Sequence, residues 1–228
     1  MSENYDTIVF DLDGTLADTI PDVAFCINHA LNRMGFLPIS LERVKQAIGP
    51  GRDEFIRAIF PNEGEPDSKT FLALFREIYW ERCVEETRLF EGVKEVLEAF
   101  EDLRFGVASN KPKIFSERIL QGLGIRDRFA EVIGPEDVIH AKPHPEMILK
   151  ILDRMKGSPL KTLFIGDTDK DILAGQNAGV RVCGVRYGYG KVEDIEQLTP
   201  DFLIDRPMEL IEIIHNHDRV SGLKNASQ

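Results

Sequence analysis

The stretch Thr7-Ile8-Val9-Phe10-Asp11-Leu12-Asp13-Gly14-Thr15 joins an apolar run to a polar turn near the start of the chain. The run before Asp11 shows no alternation of apolar and polar residues, which is typical of a parallel strand covered on both faces. Two carboxylates, Asp11 and Asp13, follow it directly. The stretch therefore predicts a buried strand that presents a pair of carboxylates at its carboxyl end.

Similar apolar runs recur along the chain and alternate with helical patterns. The further runs of strand length are residues 105–108, 132–133, 162–165, 180–185 and 202–204. Apolar residues at helical spacing lie between them, as in 93–100 and 148–155. Strands separated by helices indicate βαβ units. The sequence thus predicts an α/β fold with a Rossmann-like, doubly wound parallel sheet.

One segment interrupts this alternation, because residues 16 to 88 contain helical patterns and no good strand. It is too long for an ordinary crossover connection. We therefore predict a catalytic core made of residues 1–15 and 90–215, with an inserted all-α cap at 16–89. Hinges are expected near Thr15–Asp18 and Thr87–Gly92, and 216–228 is expected to be a flexible tail.

Composition limits the possible partners. The chain has 228 residues, of which 43% are hydrophobic and 29% charged, and its formal net charge is −11. An acidic protein repels the phosphate backbone, so nucleic acid is disfavoured, and so is an anionic membrane surface.

The three cysteines, Cys26, Cys83 and Cys183, lie far apart and are expected to be reduced and buried. No leader or spanning segment is apparent, which favours the cytoplasm.

Polar residues follow several of the predicted strands. Because ligands of open α/β sheets bind at the carboxyl ends of the strands, these residues are expected to meet in one crevice. They are the segments Asp11–Thr15, Ser109-Asn110-Lys111, Ala141–Pro145 and Gly166–Asp171.

Such a crevice has a definite chemistry. Several carboxylates close together need a counter-charge, and magnesium is the usual cation beside phosphates. A carboxylate next to magnesium can attack phosphorus and form an acyl phosphate. Ser109 and Lys142 can stabilise the phosphoryl oxygens, and a carboxylate two residues beyond the nucleophile can move the proton.

These residues resemble the motifs of a known family. Asp11-Leu-Asp-Gly-Thr-Leu-Ala-Asp18 resembles the first motif of the haloacid dehalogenase superfamily, and Ser109, Lys142 and Gly166-Asp167…Asp171 resemble the other motifs, in family order. The insert resembles the helical cap of the phosphoglycolate phosphatase branch. The stretches that resemble this branch are Phe90–Val93, Ser109–Pro112, Lys142–Pro145 and Tyr187–Gly190.

The resemblance implies a role for each acidic motif residue. Asp11 would be the nucleophile and a magnesium ligand. Asp13 would be the general acid and base, with its backbone carbonyl on the metal. Asp167 would be a direct carboxylate ligand, and Asp171 would orient Lys142 or a metal-bound water.

The remaining motif residues would bind the phosphoryl group. The resemblance implies that Ser109 binds it with help from the Asn110 amide, and that Lys142 neutralises charge between nucleophile and phosphate. Arg52 follows a glycine-rich cap loop and can pair with a substrate carboxylate. The more ordinary alternative for Arg52 is a solvent-exposed side chain.

Asp13 also separates branches of the superfamily. The dehalogenases and the phosphonate hydrolases lack an acid at this position, so a phosphatase remains, acting on a small phosphorylated metabolite. We expect 2-phosphoglycolate as substrate and a monomer or homodimer. Inorganic pyrophosphatase, sugar or nucleotide phosphatase and β-phosphoglucomutase-like transfer stay open, and a phospho-binding signalling module is the non-enzyme alternative.

Several other polar residues have simpler explanations. Asp18 is expected to be a helix N-cap before Pro21, Asp169 a solvated residue at a helix start, and His144 a surface residue between two prolines. Phe71, Phe75 and Trp80 fall at helical spacings and are expected in the core of the cap.

Overall fold

The structure is a computed structural model that describes residues 5–49, 51–61 and 68–215. Its helices and strands in chain order are β1 (Thr7–Phe10), β2 (Ala17–Asp18), α1 (Ile20–Arg33), α2 (Leu41–Ala47), α3 (Arg52–Ile59), α4 (Ser68–Arg82), β3 (Arg88–Leu89), α5 (Val93–Ala99), β4 (Arg104–Ala108), α6 (Lys113–Gly122), β5 (Phe129–Ile133), α7 (Glu146–Met155), β6 (Thr162–Gly166), α8 (Asp169–Ala178), β7 (Arg181–Val185), α9 (Val192–Gln197) and β8 (Phe202–Ile204). Residues 209–215 are also helical. Within the described part, no helix combines the length and apolar character needed to cross a membrane.

The central sheet has six strands in the order β5-β4-β1-β6-β7-β8. Every neighbouring pair is parallel. The last residue of β1, Phe10, lies opposite Val107 on one side and Ile165 on the other. The predicted Rossmann-like sheet is confirmed, and the carboxyl ends of β4, β1 and β6 lie side by side.

Both faces of β1 are covered, which explains its uninterrupted apolar run. Ile8 and Phe10 belong to one hydrophobic cluster, together with residues of α5 and α6. Val9 points to the other face and packs in a separate cluster with residues of α7 and α8. Side chains alternate between the faces of a strand, so a strand buried on both sides must be apolar throughout.

The helices α1 to α4 form an all-α unit between β2 and β3, and aromatic rings fill its core. Phe71, Phe75 and Tyr79 follow at spacings of four along α4, and all three are buried. The ring of Phe75 stacks on Tyr79 at 5.2 Å between centroids. The expectation for Trp80 is wrong: one residue beyond this stripe, its side chain turns outward, is 38% exposed, and lies against Arg118.

Two short strands connect this unit to the sheet. β2 and β3 pair antiparallel, with Ala17 opposite Leu89 and Asp18 opposite Arg88. They coincide with the predicted hinges, and the division of the chain there stays a prediction. Asp18 is not the N-cap of α1, because Thr19 holds that position. The Asp18 carboxylate still accepts a hydrogen bond from the Ile20 amide, at 3.2 Å.

A buried carboxylate holds the two connections together. Asp22 on α1 has no exposed surface, and its Oδ2 accepts hydrogen bonds from Glu86 N at 2.9 Å and Thr87 N at 2.8 Å. The Thr87 hydroxyl donates a third, at 2.9 Å. Three donors on the chain that returns to the core therefore converge on one oxygen of α1.

We expect Asp22→Ala to lower the free energy of unfolding by about 3 kcal/mol, because it leaves these buried donors without a partner. Urea unfolding measures the change. Asp102→Ala, at an exposed position, is the control. An Asp22 variant as stable as that control would contradict the role given to this carboxylate.

The three cysteines are buried and unpaired with each other, as predicted. Burial is the largest influence on each thiol, and it raises the pKa of Cys26 to about 12. Protonated, enclosed thiols behave as small apolar side chains.

Candidate active site

The turn after β1 places two carboxylates at the centre of the sheet's carboxyl edge. The amides of Leu16 and Ala17 donate to the Leu12 carbonyl at 3.1 and 3.0 Å, which folds the chain back on itself. Gly14 lies in this turn with φ of +84°, a conformation that glycine adopts without strain. Asp11 and Asp13 are both buried, at 5% and 6% exposure.

Lys142 joins three of the predicted motifs through its ammonium group. Its Nζ donates to Asp11 Oδ1 and to Asp171 Oδ1, both at 2.6 Å. It also donates to the Ala108 carbonyl at the end of β4, at 2.8 Å. An ammonium has three N–H bonds, so each of them has an acceptor here. Side chains far apart in sequence thus meet at one cation.

The Asn110 side chain fixes the backbone of Lys142. Its Oδ1 accepts from Lys142 N at 3.0 Å, and its Nδ2 donates to the Lys142 carbonyl at 3.1 Å. The same Nδ2 also donates to the Gly49 carbonyl in the loop between α2 and α3, at 2.8 Å. Asn110 therefore connects the two predicted domains as well as positioning the lysine.

Ser109 occupies the predicted place at the end of β4 and is 1% exposed. Its Oγ accepts a hydrogen bond from Lys111 N at 3.2 Å, which tightens the turn that follows the strand. The hydroxyl oxygen is thereby oriented beside the turn that also carries Asn110.

Asp167 at the end of β6 is fully buried and held at both oxygens. Its Oδ1 accepts from the Thr15 hydroxyl at 3.0 Å, and its Oδ2 accepts from Tyr189 N at 2.8 Å. Glycines surround it, since a Cβ at Gly14 or Gly188 would come within 2.2 Å of its side chain. The predicted ligand is thus held in place by contacts that the motif itself does not reveal.

Asp171 sits in the first turn of α8 and is held by the residue before that helix. The Thr168 amide and hydroxyl donate to its Oδ2 at 3.0 and 2.6 Å. This leaves Oδ1 for Lys142, at 2.6 Å. The arrangement is a capping box that fixes the angle of the carboxylate.

The charges of this cluster do not balance. Asp11, Asp167 and Asp171 each offer an oxygen, and these atoms lie within 4.8 Å of one another. Lys142 supplies one positive charge against three carboxylates. A group of buried oxygen donors with excess negative charge suits a hard divalent cation such as magnesium. The donor set therefore fits the predicted metal.

The pKa values show the same imbalance. Burial raises the pKa of Asp11 to about 7, even though the charge of Lys142 acts to lower it. Burial and the neighbouring Asp171 raise the pKa of Asp167 well above its usual value. Burial lowers the pKa of Lys142, but the ion pairs with Asp11 and Asp171 outweigh this and raise it. The carboxylates therefore have too little positive charge around them to stay readily ionised, whereas the lysine stays protonated.

Asp13 points toward a different set of partners. Its Oδ1 accepts from the Thr19 hydroxyl at 2.5 Å and lies 3.2 Å from the ammonium of Lys111. Lys111 in turn donates to the Tyr79 hydroxyl on α4, at 3.1 Å. Thr19 and Tyr79 were not predicted as site residues, and Lys111 was expected in the crevice only as part of Ser109-Asn110-Lys111, without a role of its own. The position of Lys111 directly after Ser109 and Asn110 was the only available signal for it.

A cavity of about 490 Å³ opens between the helical unit and the sheet. Asp13, Asn110 and Lys111, which follow strands β1 and β4, line it on the side of the sheet. Arg52 lines the cavity from the start of α3, and its side chain is exposed. The rest of the wall is largely apolar and aromatic, and includes Val23, Ile48, Phe55, Leu72, Phe75, Tyr79 and Phe115.

Two of the residues given simpler explanations lie where expected. Asp169 is the first residue of α8 and is exposed. His144 is exposed on the loop before α7, where its ring lies 4.6 Å from that of His140. Neither lines the main cavity.

Comparison with known proteins shows which family this chain belongs to. The model of the family described as haloacid dehalogenase-like hydrolase matches residues 8–185. An N-acetylmuramic acid 6-phosphate phosphatase of Pseudomonas putida is 36% identical over 211 aligned residues, and the match covers 91% of this chain and 95% of the relative. A phosphoglycolate phosphatase of Vibrio vulnificus is 33% identical over 216 residues, with 91% and 95% covered.

A solved structure shares the whole architecture. The crystal structure of a predicted phosphoglycolate phosphatase from Haemophilus somnus 129pt superimposes with a TM-score of 0.87 at 33% identity. The match covers 93% of this chain and 99% of that one. The sheet and the helical insert are therefore common to both proteins.

Proposed function

Because this chain belongs to the family of haloacid dehalogenase-like hydrolases, we propose that it hydrolyses a small phosphate monoester through an aspartyl-phosphate on Asp11. The chain is a phosphoric monoester hydrolase, the class named for its relatives. The observation that carries the proposal is the contact of Lys142 Nζ with Asp11 Oδ1 at 2.6 Å, beside Asp167 and Asp171.

The proposed reaction begins at Asp11. One of its carboxylate oxygens attacks phosphorus, and the bond between phosphorus and the leaving oxygen breaks as the new one forms. Asp13 gives its proton to the leaving oxygen, which departs as an alcohol. A water then attacks the phosphorus of the aspartyl-phosphate, Asp13 takes a proton from it, and inorganic phosphate leaves. Asp11 is returned as a carboxylate.

The other residues hold charge in place. Magnesium held by Asp11, Asp167 and the Asp13 carbonyl would supply positive charge to the phosphoryl oxygens. Lys142 neutralises negative charge beside the nucleophile Asp11, and the Ser109 hydroxyl donates a hydrogen bond to a phosphoryl oxygen. Asp171 and Asn110 keep Lys142 in position through its side chain and its backbone.

The proposal gives the helices α1–α4 the role of a cap. Asn110 donates a hydrogen bond to the Gly49 carbonyl, and Lys111 donates one to the Tyr79 hydroxyl. Through these contacts the cap covers the side of the cavity that the sheet forms. Aromatic side chains on the cap side limit the entry of water, which strengthens the electrostatic interactions within.

Two substrates are candidates. We propose 2-phosphoglycolate on the resemblance to phosphoglycolate phosphatases. The second candidate substrate is N-acetylmuramic acid 6-phosphate, and the size of the cavity favours it. The cavity of about 490 Å³ with an aromatic wall has room for a sugar ring, whereas a two-carbon acid occupies little of it. Pyrophosphate, which is small and has no apolar part, makes no use of that wall.

A rate profile tests the proposal. Release of phosphate is measured with magnesium for both candidates, for pyrophosphate, and for a nucleoside monophosphate and a hexose phosphate. We expect a carboxylate-bearing monoester to give the highest kcat/KM, and EDTA to abolish the activity. No turnover of any ester with magnesium present, or turnover unchanged by EDTA, would reject the proposed function.

A phosphotransferase reaction is separated from hydrolysis by the fate of the phosphoryl group. A β-phosphoglucomutase-like enzyme returns it to a sugar, whereas hydrolysis releases it as inorganic phosphate. With β-glucose 1-phosphate, formation of glucose 6-phosphate would favour the mutase alternative over the phosphatase.

We expect magnesium to raise the melting temperature more at pH 7.5 than at pH 5. The pKa of Asp11 is about 7 in the fold, against about 4 in an unfolded chain. As the pH rises through this window, the unfolded chain has already lost a proton that the folded one still holds, so the metal-free fold loses stability. A cation that binds the ionised carboxylates removes this penalty.

Thermal unfolding with magnesium or EDTA at both pH values checks the expectation. Asp167→Asn, which weakens the carboxylate set, is the matched variant and is expected to reduce the difference between the two conditions. An equal magnesium effect at pH 5 and pH 7.5 would contradict the link between the metal and these carboxylates.

A further inference from the structure

Lys111 is a buried cation on the wall of the main cavity that the reaction above does not use. Its side chain is 9% exposed. The ammonium lies 3.1 Å from the Tyr79 hydroxyl and 3.2 Å from Asp13 Oδ1. It also lies 4.9 Å from the centroid of the Tyr79 ring. It therefore sits beside the carboxylate that is proposed to protonate the leaving oxygen.

The bonding of this ammonium leaves room for a ligand. Of its three N–H bonds, the described residues offer oxygen partners for two, on Tyr79 and on Asp13. The other cationic side chains on the described wall are Arg52 and Arg76, and both are exposed. Lys111 is thus the cation with the least solvent around it, and its charge attracts an anionic group when Asp13 carries the proton that it gives to the leaving oxygen.

The backbone of Lys111 belongs to the turn that carries the proposed phosphoryl site. Ser109 is proposed to bind the phosphoryl group, and its Oγ accepts from Lys111 N at 3.2 Å. The two residues therefore belong to one turn after β4, with the leaving-group side of Asp13 next to the lysine. A leaving oxygen that takes its proton from Asp13 would therefore lie close to the Lys111 ammonium, which is 3.2 Å from Asp13 Oδ1.

We propose that Lys111 forms an anion subsite for a carboxylate carried by the leaving group of the substrate. The inference rests on the proposed function and deepens it, because it ties preference among phosphate monoesters to one residue. Glycolate and N-acetylmuramic acid, the alcohols in the names of the two relatives, both carry a carboxylate. The subsite predicts that an acidic monoester is preferred over its neutral counterpart.

Matched pairs of substrates isolate this effect. N-acetylmuramic acid 6-phosphate differs from N-acetylglucosamine 6-phosphate by the acidic lactyl group, and 2-phosphoglycolate differs from 2-hydroxyethyl phosphate by the carboxylate. The measurement is the ratio of kcat/KM within a pair, for wild type and for variants with magnesium present. The ratio is insensitive to a general loss of activity, which the contact of Lys111 with Asp13 can cause.

We expect the wild-type ratio to favour the acidic member, and Lys111→Met to reduce the ratio of the preferred pair by about 30-fold or more. Lys111→Arg keeps the charge and is expected to retain part of the preference. Lys113→Met is the control, because that ammonium pairs with Asp137 at 3.1 Å and does not line the cavity. Thermal unfolding confirms that each variant is folded.

Two results would count against the subsite while leaving the proposed function intact, and a third would overturn the function itself. If Lys111→Met lowers kcat/KM equally for both members of each pair, the lysine acts only on Asp13 or on structure, and the inference is overturned while the phosphatase assignment stands. A wild-type enzyme without preference for acidic esters overturns the subsite too. Absence of wild-type turnover on every ester overturns the function on which the inference rests.

Discussion

The Asp11→Asn variant is expected to release phosphate at least about 10⁴ times more slowly than the wild-type protein. The amide that replaces the carboxylate is a poor nucleophile and cannot form an aspartyl-phosphate. The variant also removes one negative charge from a cluster of three carboxylates, of which Asp11 and Asp171 contact Lys142, so the fold is expected to persist. The effect is therefore on chemistry and not on folding.

Initial rates on the best substrate of the screen, with saturating magnesium, measure this loss. Asp169→Asn, at an exposed position at the start of α8, is the matched control and is expected to keep its activity. In the wild-type protein, mass spectrometry after rapid acid quenching is expected to find a phosphoryl group on the peptide that contains Asp11. Near-normal activity of Asp11→Asn would reject Asp11 as the nucleophile.

Lys142→Met is expected to have the second-largest effect, on stability as well as turnover. The lysine is 4% exposed and contacts both Asp11 and Asp171. Removing one partner of a buried ionic cluster leaves uncompensated charge, which costs about 3–5 kcal/mol. We expect a loss of this size in EDTA, and a smaller one with magnesium, because the cation supplies some of the missing charge.

Urea unfolding with EDTA and with magnesium measures both parts of this expectation. Lys161→Met removes an exposed lysine and is expected to change the free energy of unfolding little. A Lys142 variant as stable as that control in EDTA would show that the ammonium does not offset the carboxylates. Activity is expected to fall sharply in the same variant, since the charge beside the nucleophile is gone.

Much of the fold follows from the apolar runs of the sequence. The strands β1, β4 and β6 are short and apolar after their first residues, Thr7, Arg104 and Thr162, and such runs between amphipathic helices fit few architectures other than a covered parallel sheet. Side-chain direction within a helix was harder to predict. Trp80 and Tyr79 are adjacent in α4, yet only Tyr79 faces the core. Tyr79 continues the spacing of four from Phe71 and Phe75, and the prediction chose Trp80 instead.

The candidate site likewise contains residues that the sequence predicts and contacts that it does not. Residues at strand ends, such as Asp11, Ser109 and Asp167, were predictable, because the topology of a parallel sheet brings strand ends together. The contacts of Thr19 with Asp13 and of Lys111 with Tyr79 depend on how the cap packs on the sheet. No local pattern encodes that packing.

The place of β1 in the sheet has a consequence for synthesis on the ribosome. This strand is made first, yet both of its partners come much later, since β4 begins at Arg104 and β6 at Thr162. The cap helices emerge in the meantime. The nascent chain therefore carries this apolar strand unpaired until β4 has been made, a period in which such segments aggregate readily.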